Sequence, residues 1–342
     1  MIPRRRVSEG LVASRIIKGG WHLAGGHGAI DRAQAKRDMA TFVDAGITSF
    51  DCADIYTGVE AMIGEFRREY PRHAAALAVH TKFVPDLERL GTIDGRAVEA
   101  CIDRSRERLG VERLDLVQFH WWDYAVPRYV ETALELVRLQ RAGSIGAIAV
   151  TNFDVPRLAE LVDAGVPVVA HQLQYSLLDG RPEHGMVDFC GRHGIALLCY
   201  GTVAGGFLSD RWRGQRAPSG ALANRSLVKY RLIIDEFGGW QSYQALLEVL
   251  AAVAARHACD LATVATAAVL HRTGVAAAIV GATSAAHLAD HVRAASLVLS
   301  AADLADIEAV TAQRRGPAGD VYGLERDRDG PHGRIMKYNL GQ

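Results

Sequence analysis

Leu114-Asp115-Leu116-Val117-Gln118-Phe119-His120 is a short apolar run that closes on a polar residue, and it follows a segment, Gly95–Leu109, in which Val98, Ile102 and Leu109 share one side with charges opposite. Apolar residues three to four apart predict an amphipathic helix, and a brief apolar run bounded by polar residues predicts a buried strand. The unit repeats outward in both directions. Downstream, Ile145-Gly146-Ala147-Ile148-Ala149-Val150 ends at Thr151-Asn152, residues 166–170 lead to His171-Gln172, 195–199 end at Tyr200 and 276–280 end at Gly281. Upstream, Leu77-Ala78-Val79 leads to His80-Thr81-Lys82, Ile47-Thr48-Ser49-Phe50 ends at Asp51, and Arg15-Ile16-Ile17-Lys18 enters Gly19-Gly20-Trp21. These are eight candidate strands with helical patterns between them, which means an α/β fold with parallel returns.

The beat of the repeat favours a closed barrel over an open sheet. Asp51, Lys82, His120, Thr151, Gln172 and Tyr200 follow one another at intervals of 31, 38, 31, 21 and 28 residues. A barrel of ~250 residues spends ~31 on each of eight units. The next interval, Tyr200 to Gly281, is 81 residues. Its excess is assigned to a long loop insertion after strand seven, at about 207–239, rich in Gly, Ser and Arg. Residues 314–342 form an extended C-terminal tail without a clear pattern. The expectation is a single-domain (β/α)8 TIM barrel over residues 1–342.

Composition narrows the function. The 39 basic and 39 acidic side chains cancel, which argues against a nucleic acid or a membrane surface as partner. No apolar run approaches the ~20 residues of a membrane span, and the basic start Met1-Ile2-Pro3-Arg4-Arg5-Arg6 lacks the apolar stretch of a secretory signal. The five cysteines, Cys52, Cys101, Cys190, Cys199 and Cys259, are scattered and have no CxxC spacing. They read as reduced thiols of a cytoplasmic protein, with neither a disulfide framework nor a metal site. Gly19-Gly20 and Gly25-Gly26 are not a dinucleotide fingerprint, because no GxGxxG opens a helix after a strand.

A β/α barrel builds its active site at the carboxyl ends of its strands. Here those ends carry Asp51, Lys82, His120, Thr151-Asn152, Gln172 and Tyr200 in succession. Singly, Asp51 could cap a helix, Lys82 could be a solvated loop lysine, His120 a satisfied core histidine and Asn152 a turn residue. As a set facing one mouth they can do chemistry with Tyr56, in the loop after Asp51. A phenol with a reference pKa of ~10 is a poor proton donor near neutrality; a neighbouring ammonium lowers that value. Lys82 would supply the ammonium, Asp51 would fix it, and His120 could hold a carbonyl oxygen near the phenol. The group would donate a proton to an oxygen that gains charge as hydride reaches its carbon.

Phe50-Asp51-Cys52-Ala53-Asp54-Ile55-Tyr56 with Glu60-Ala61-Met62-Ile63-Gly64-Glu65, then Thr81-Lys82, Gln118-Phe119-His120-Trp121, Val150-Thr151-Asn152-Phe153, His171-Gln172-Leu173-Gln174-Tyr175-Ser176 and Val280-Gly281-Ala282-Thr283, resembles the aldo-keto reductase family in order, from Gly19 to about His291. The resemblance implies that Asp51, Tyr56, Lys82 and His120 are a catalytic tetrad, with Tyr56 the general acid. It implies that Thr151, Asn152 and Gln172 bind a nicotinamide carboxamide and that Tyr200 stacks on its ring. Gly281, Thr283, Ser284 and His287 would meet the adenosine end, with NADP(H) favoured over NAD(H). The sequence departs from the family pattern after strand seven, where Gly201-Thr202-Val203 replaces Ser-Pro-Leu. His287 and His291 stand where Gln and Asn are frequent, four apart and so on one helical face. Trp21, Trp121, Trp122 and Tyr124 follow strand ends and could line a pocket, with Trp21 and Trp121 the favoured walls, for a small carbonyl or alcohol substrate, an aldehyde, ketone or sugar-like hydroxy-carbonyl. The arginine-rich insertion is a candidate lid over the cofactor phosphates. The alternative on the same fold is a cofactor-binding regulatory subunit of a partner protein, with little turnover.

Overall fold

A computed structural model describes residues 2–25 and 28–339. Gly26, of the Gly25-Gly26 pair, and the last three residues of the tail lie outside the described residues. The chain begins with an antiparallel hairpin, β1 (Arg4–Ser8) and β2 (Leu11–Ser14). Eight parallel strands follow: β3 (Ile16–Gly19), β4 (Ser49–Asp51), β5 (Ala78–Phe83), β6 (Leu114–Phe119), β7 (Ile145–Thr151), β8 (Val168–Gln174), β9 (Ala196–Tyr200) and β10 (Val275–Gly281). Each pairs with the next, and β10 returns to β3 to close the barrel. The eight runs predicted from sequence are these eight strands, with ends shifted by a few residues.

Local chemistry explains the units. The helix Gly95–Leu109 starts where the Asp94 carboxylate accepts from Ala97 N at 2.9 Å, and it stops at Gly110, whose φ of 67° is left-handed. An acceptor at the N-cap and a glycine just past the end are the expected start and stop. Val98, Ile102 and Leu109 are buried, as their spacing predicts. Inside the barrel Ile17, Leu116, Ala147, Ala149, Ala170, Leu198, Ala277 and Ile279 form one apolar cluster with Val7, Leu11 and Ala13 of the hairpin. Alternate strand residues thus fill the barrel, and the hairpin plugs its N-terminal end. The basic start of the sequence conceals that hairpin.

The insertion expected as a loop at about 207–239 is partly helical in the long interval between β9 and β10. That interval holds the helices Arg225–Phe237, Gly239–His257 and Leu261–Leu270. The first lies inside the expected insertion. Asn224 caps it by accepting from Leu227 N at 3.0 Å, and Tyr230, Ile233, Ile234 and Phe237 are its buried stripe. That spacing is helical; the cations Arg225, Lys229 and Arg231 mask it in a reading of composition. The tail leaves the helix Ala301–Thr311, forms one short turn at Gly323–Arg326 and returns across the carboxyl end of the barrel. There the Arg225 side chain donates to the carbonyl of Ile335, and Glu325 bonds the buried Arg181 guanidinium at 2.8 Å. Among the described residues no helix is long and apolar enough to cross a membrane.

Candidate active site

The carboxyl ends of the strands enclose a cavity of about 300 Å³. Its floor is a buried polar cluster. Lys82 Nζ donates to Asp51 Oδ2 at 2.7 Å and to the carbonyl of Cys52 at 2.9 Å. The other carboxylate oxygen of Asp51 accepts from Gln118 Nε2 at 3.0 Å and from Gln172 Nε2 at 2.6 Å. Parallel register brings these groups together: Lys82 lies level with Gln118, and Thr151 with Gln172. A buried ion pair persists only where further hydrogen bonds satisfy its remaining lone pairs. Gln118, absent from the sequence-based site, supplies one of them. Burial opposes the Lys82 ammonium, but the charges of Asp51 and Tyr56 outweigh it and raise the pKa.

Tyr56 sits above this pair. The Lys82 ammonium lies 4.8 Å from the centroid of its ring, and Trp21 meets the ring edge-on at 5.2 Å. Burial raises the phenol pKa more than Lys82 lowers it, and Asp51 adds to the rise. The net shift is upward, the reverse of the lowering that a neighbouring ammonium alone would bring. The ammonium instead offsets part of a desolvation cost that sequence does not display.

His120 closes the third side. Its Nδ1 is 3.1 Å from the carbonyl oxygen of Thr151, which can only accept, so Nδ1 carries the hydrogen in that contact. Burial, then the charges of Arg326 and Lys82, push its pKa down to about 3, so the ring is neutral at physiological pH. Nε2 is buried without a hydrogen-bond partner among the described residues, and the residue lines the cavity. In this tautomer Nε2 offers a lone pair, which accepts a hydrogen bond and cannot donate one to a carbonyl oxygen. Trp122 stands edge-on to the imidazole, at 4.3 Å and 88°.

Thr151, Asn152, Gln172 and Tyr200 form a ledge beside the floor, and all four line the cavity. Asn152 has a left-handed φ of 62°, and its Oδ1 accepts from the Tyr200 hydroxyl at 2.8 Å. Gln172 Nε2 is committed to Asp51 and Gln118, so only its Oε1 can face a ligand. At the far rim Gly281 lines the cavity against the His22 imidazole; a Cβ there would fall 1.8 Å from the ring. Thr283, Ser284 and His287 are exposed on the outer lip and not on the cavity wall. His287 precedes the helix Leu288–Ser296 as its N-cap and pairs with Asp290 at 3.3 Å, while His291 packs near Phe42. The His291 N–H donates to the His287 carbonyl at 3.0 Å, so the two lie one helical turn apart.

Trp21 lines the cavity, but Trp121 does not. Trp121 is fully buried outside the barrel mouth, its indole nitrogen donating to the carbonyls of Asp123 and Val126 at 3.0 Å. Alternation explains the correction. Gln118 and His120 point inward, so Trp121 points outward and Trp122 takes the wall. Of the insertion's cations, expected from sequence as a lid, Arg225 and Lys229 line the cavity; sequence reasoning missed Tyr322, Ile335, Met336 and Lys337 of the tail. Nothing local marks the tail residues, because distant packing brings them to the mouth.

The chain matches the family model described as "Aldo/keto reductase family" over residues 15–312, and it belongs to that family of oxidoreductases acting on CH–OH and carbonyl groups. Among curated relatives it is 26% identical to the NADH-specific methylglyoxal reductase of Escherichia coli over 321 residues, covering 86% of this chain and 93% of that one. It is 30% identical over 251 residues to flagellar radial spoke protein 5 of Chlamydomonas reinhardtii, a match that spans 62% of this chain and 47% of that protein. Among solved structures, a glycerol dehydrogenase from Gluconobacter oxydans superposes with a TM-score of 0.75 at 22% identity, covering 93% of this chain and 97% of that one. That likeness bears on the fold alone.

Proposed function

We propose that this chain is a nicotinamide-dependent reductase and dehydrogenase of small hydroxy-carbonyls, with Asp51, Tyr56, Lys82 and His120 handling the proton. One observation carries the reading: the Asp51-bound ammonium of Lys82 lies under the Tyr56 ring at the floor of the cavity. A nicotinamide fits the ledge on the chemistry of its donors and acceptors. Gln172 Oε1 would accept from a carboxamide and Asn152 Nδ2 would donate to one. When bound, the nicotinamide supplies or accepts the hydride. The Tyr56 hydroxyl gives its proton to the oxygen of the reduced carbonyl, and Lys82 stabilises the phenolate left behind. Asp51 keeps the ammonium in place. The whole chain acts as one barrel unit, in the cytoplasm where its cysteines stay reduced. No observation favours a purely regulatory role.

His120 supports the substrate class. A neutral imidazole with a hydrogen on Nδ1 accepts at Nε2, so it reads a hydroxyl. An aldehyde with a neighbouring hydroxyl would use that acceptor; its deoxy analogue would leave it unpaired. Lactaldehyde (2-hydroxypropanal) is therefore expected to exceed propanal in kcat/KM by about tenfold, the worth of one buried hydrogen bond. Steady-state oxidation of NADPH and NADH over an aldehyde panel tests both claims. No turnover with any aldehyde would sink the function, and equal kcat/KM for the pair would sink the role of His120.

Cofactor choice follows from the far rim. NADP(H) is accepted, on a lip with the hydroxyls of Thr283 and Ser284 and the start of a helix. The Arg293 guanidinium is committed to the carbonyl of His257, and His287 is paired with Asp290. A charge-assisted bond to the 2′-phosphate is worth ~1.5–3 kcal/mol, roughly 10- to 100-fold. Without a dedicated cation, NADPH is expected to be favoured over NADH by less than about tenfold. A ratio of kcat/KM values beyond about a hundredfold would mean that a fixed cation reads the phosphate. Arg225 and Lys229 of the roof helix line the cavity, where they would meet the diphosphate.

A further inference from the structure

Arg326 lies in the short helical turn of the tail, Gly323–Arg326, far in sequence from every barrel strand. Its guanidinium nevertheless reaches the rims of β6 and β7. One terminal nitrogen donates to the carbonyl of Trp121 and, at 2.8 Å, to that of Trp122. The other donates to the carbonyl of Asn152 and to the hydroxyl of Tyr124, both at 2.7 Å. The guanidinium lies 3.9 Å from the centroid of the Tyr124 ring and 5.5 Å from that of Tyr322. The described partners of this cation are carbonyls, a hydroxyl and aromatic faces, not a carboxylate.

The three carbonyls belong to the residues immediately after His120 and to the ledge itself. A carbonyl just past a strand end has left the ladder and needs a donor. Here one planar fork of donors serves all three. Asn152 takes a left-handed backbone, which asparagine enters more readily than other non-glycine residues, and its polar groups are held on three sides. Its N–H donates to the carbonyl of Gln172 at 2.9 Å, its Oδ1 accepts from Tyr200, and its carbonyl is held by Arg326. Fixing the Trp122 carbonyl in the same way holds the indole edge-on to His120.

We propose that Arg326 is a positioning residue for the reaction, a clamp from the tail that holds the rims of β6 and β7 in register so that His120 and the Asn152 ledge receive substrate and nicotinamide in one geometry. The inference rests on the function proposed above. It ties the tail, which supplies Tyr322 to the cavity wall, to the nucleotide ledge across the mouth. A nucleotide that settles against Asn152 thereby settles against a rim fixed by the tail.

The test is nucleotide binding, read by quenching of tryptophan fluorescence in the full chain, alongside steady-state kinetics. Arg326→Ala is expected to weaken NADH and NADPH binding by about tenfold, the loss of charge-assisted bonds at the ledge, and to lower kcat/KM further. Guanidinium added below denaturing concentrations should restore part of the binding, which a loss of packing alone would not allow. Arg328→Ala, an exposed arginine of the same tail that pairs with Asp123 at 3.2 Å, should bind like the parent. If Arg326→Ala does not fold, Arg326→Lys keeps a cation that can serve fewer of the carbonyls, and its affinity should fall between. An Arg326→Ala or Arg326→Lys protein that folds and matches the parent in affinity and kcat/KM overturns the clamp. A parent protein that binds neither nucleotide overturns the proposed function, and the clamp with it.

Discussion

Tyr56→Phe is expected to lower kcat for carbonyl reduction by ~10²–10⁴-fold, the span of general acid catalysis, and to leave nucleotide affinity unchanged. The substitution removes one oxygen and keeps the ring. The edge-on contact with Trp21 and the ring above Lys82 survive. The phenol is half-buried at the cavity wall, and its environment holds it protonated across the neutral range. Loss of turnover with intact binding separates a proton donor from a structural tyrosine, whose removal would disturb both. A variant that kept more than about a third of kcat, far outside the range for a lost general acid, would remove Tyr56 from that role.

Lys82→Met is expected to act on stability and chemistry together. Removing one partner of a buried ion pair leaves the other charged and unpaired, which costs ~3–5 kcal/mol. Asp51 would keep its bonds from Gln118 and Gln172 but lose the ammonium at 2.7 Å. Urea unfolding should show the loss, and adding Asp51→Asn should recover part of it, because the stranded carboxylate is then neutral. The chemical effect has a definite sign. Burial already raises the Tyr56 pKa and Lys82 pulls it back; without Lys82 it rises further. Alcohol oxidation needs the phenolate, so in Lys82→Met the rise of that rate with pH should move to higher pH. Superimposable normalised profiles for the variant and the parent would contradict the role assigned to the ammonium.

The barrel and most of the candidate site are legible in the sequence because both are periodic. A strand in a closed barrel must be apolar along its length and polar where it meets the mouth, and residues such as Asp51, Lys82, His120 and Gln172 carry that signature at a regular beat. Three things were not legible, each for a physical reason. Trp121 and Trp122 are adjacent, so only the parity of the extended chain beyond β6 says which of them faces the mouth. The helix Arg225–Phe237 has a regular apolar stripe, but its charges hide it in a reading by composition. The tail residues Tyr322, Glu325 and Arg326 reach the mouth through contacts with Arg181, Trp122 and Asn152 that are remote in sequence. Direction of a pKa shift was also beyond reach, since the burial of Tyr56 depends on how the whole mouth closes.

The central claim is that this cavity passes a hydride between a nicotinamide and a carbonyl carbon. The most direct measurement follows the label: NADH or NADPH carrying deuterium at C4, on either face, is oxidised by the enzyme in the presence of glyceraldehyde, and the glycerol product is examined by mass spectrometry. The account predicts deuterium on the former carbonyl carbon from one face of the cofactor and from that face alone. Loss of the parent protein's cofactor absorbance without deuterium in the product from either face, or no oxidation with any aldehyde of the panel, would contradict it.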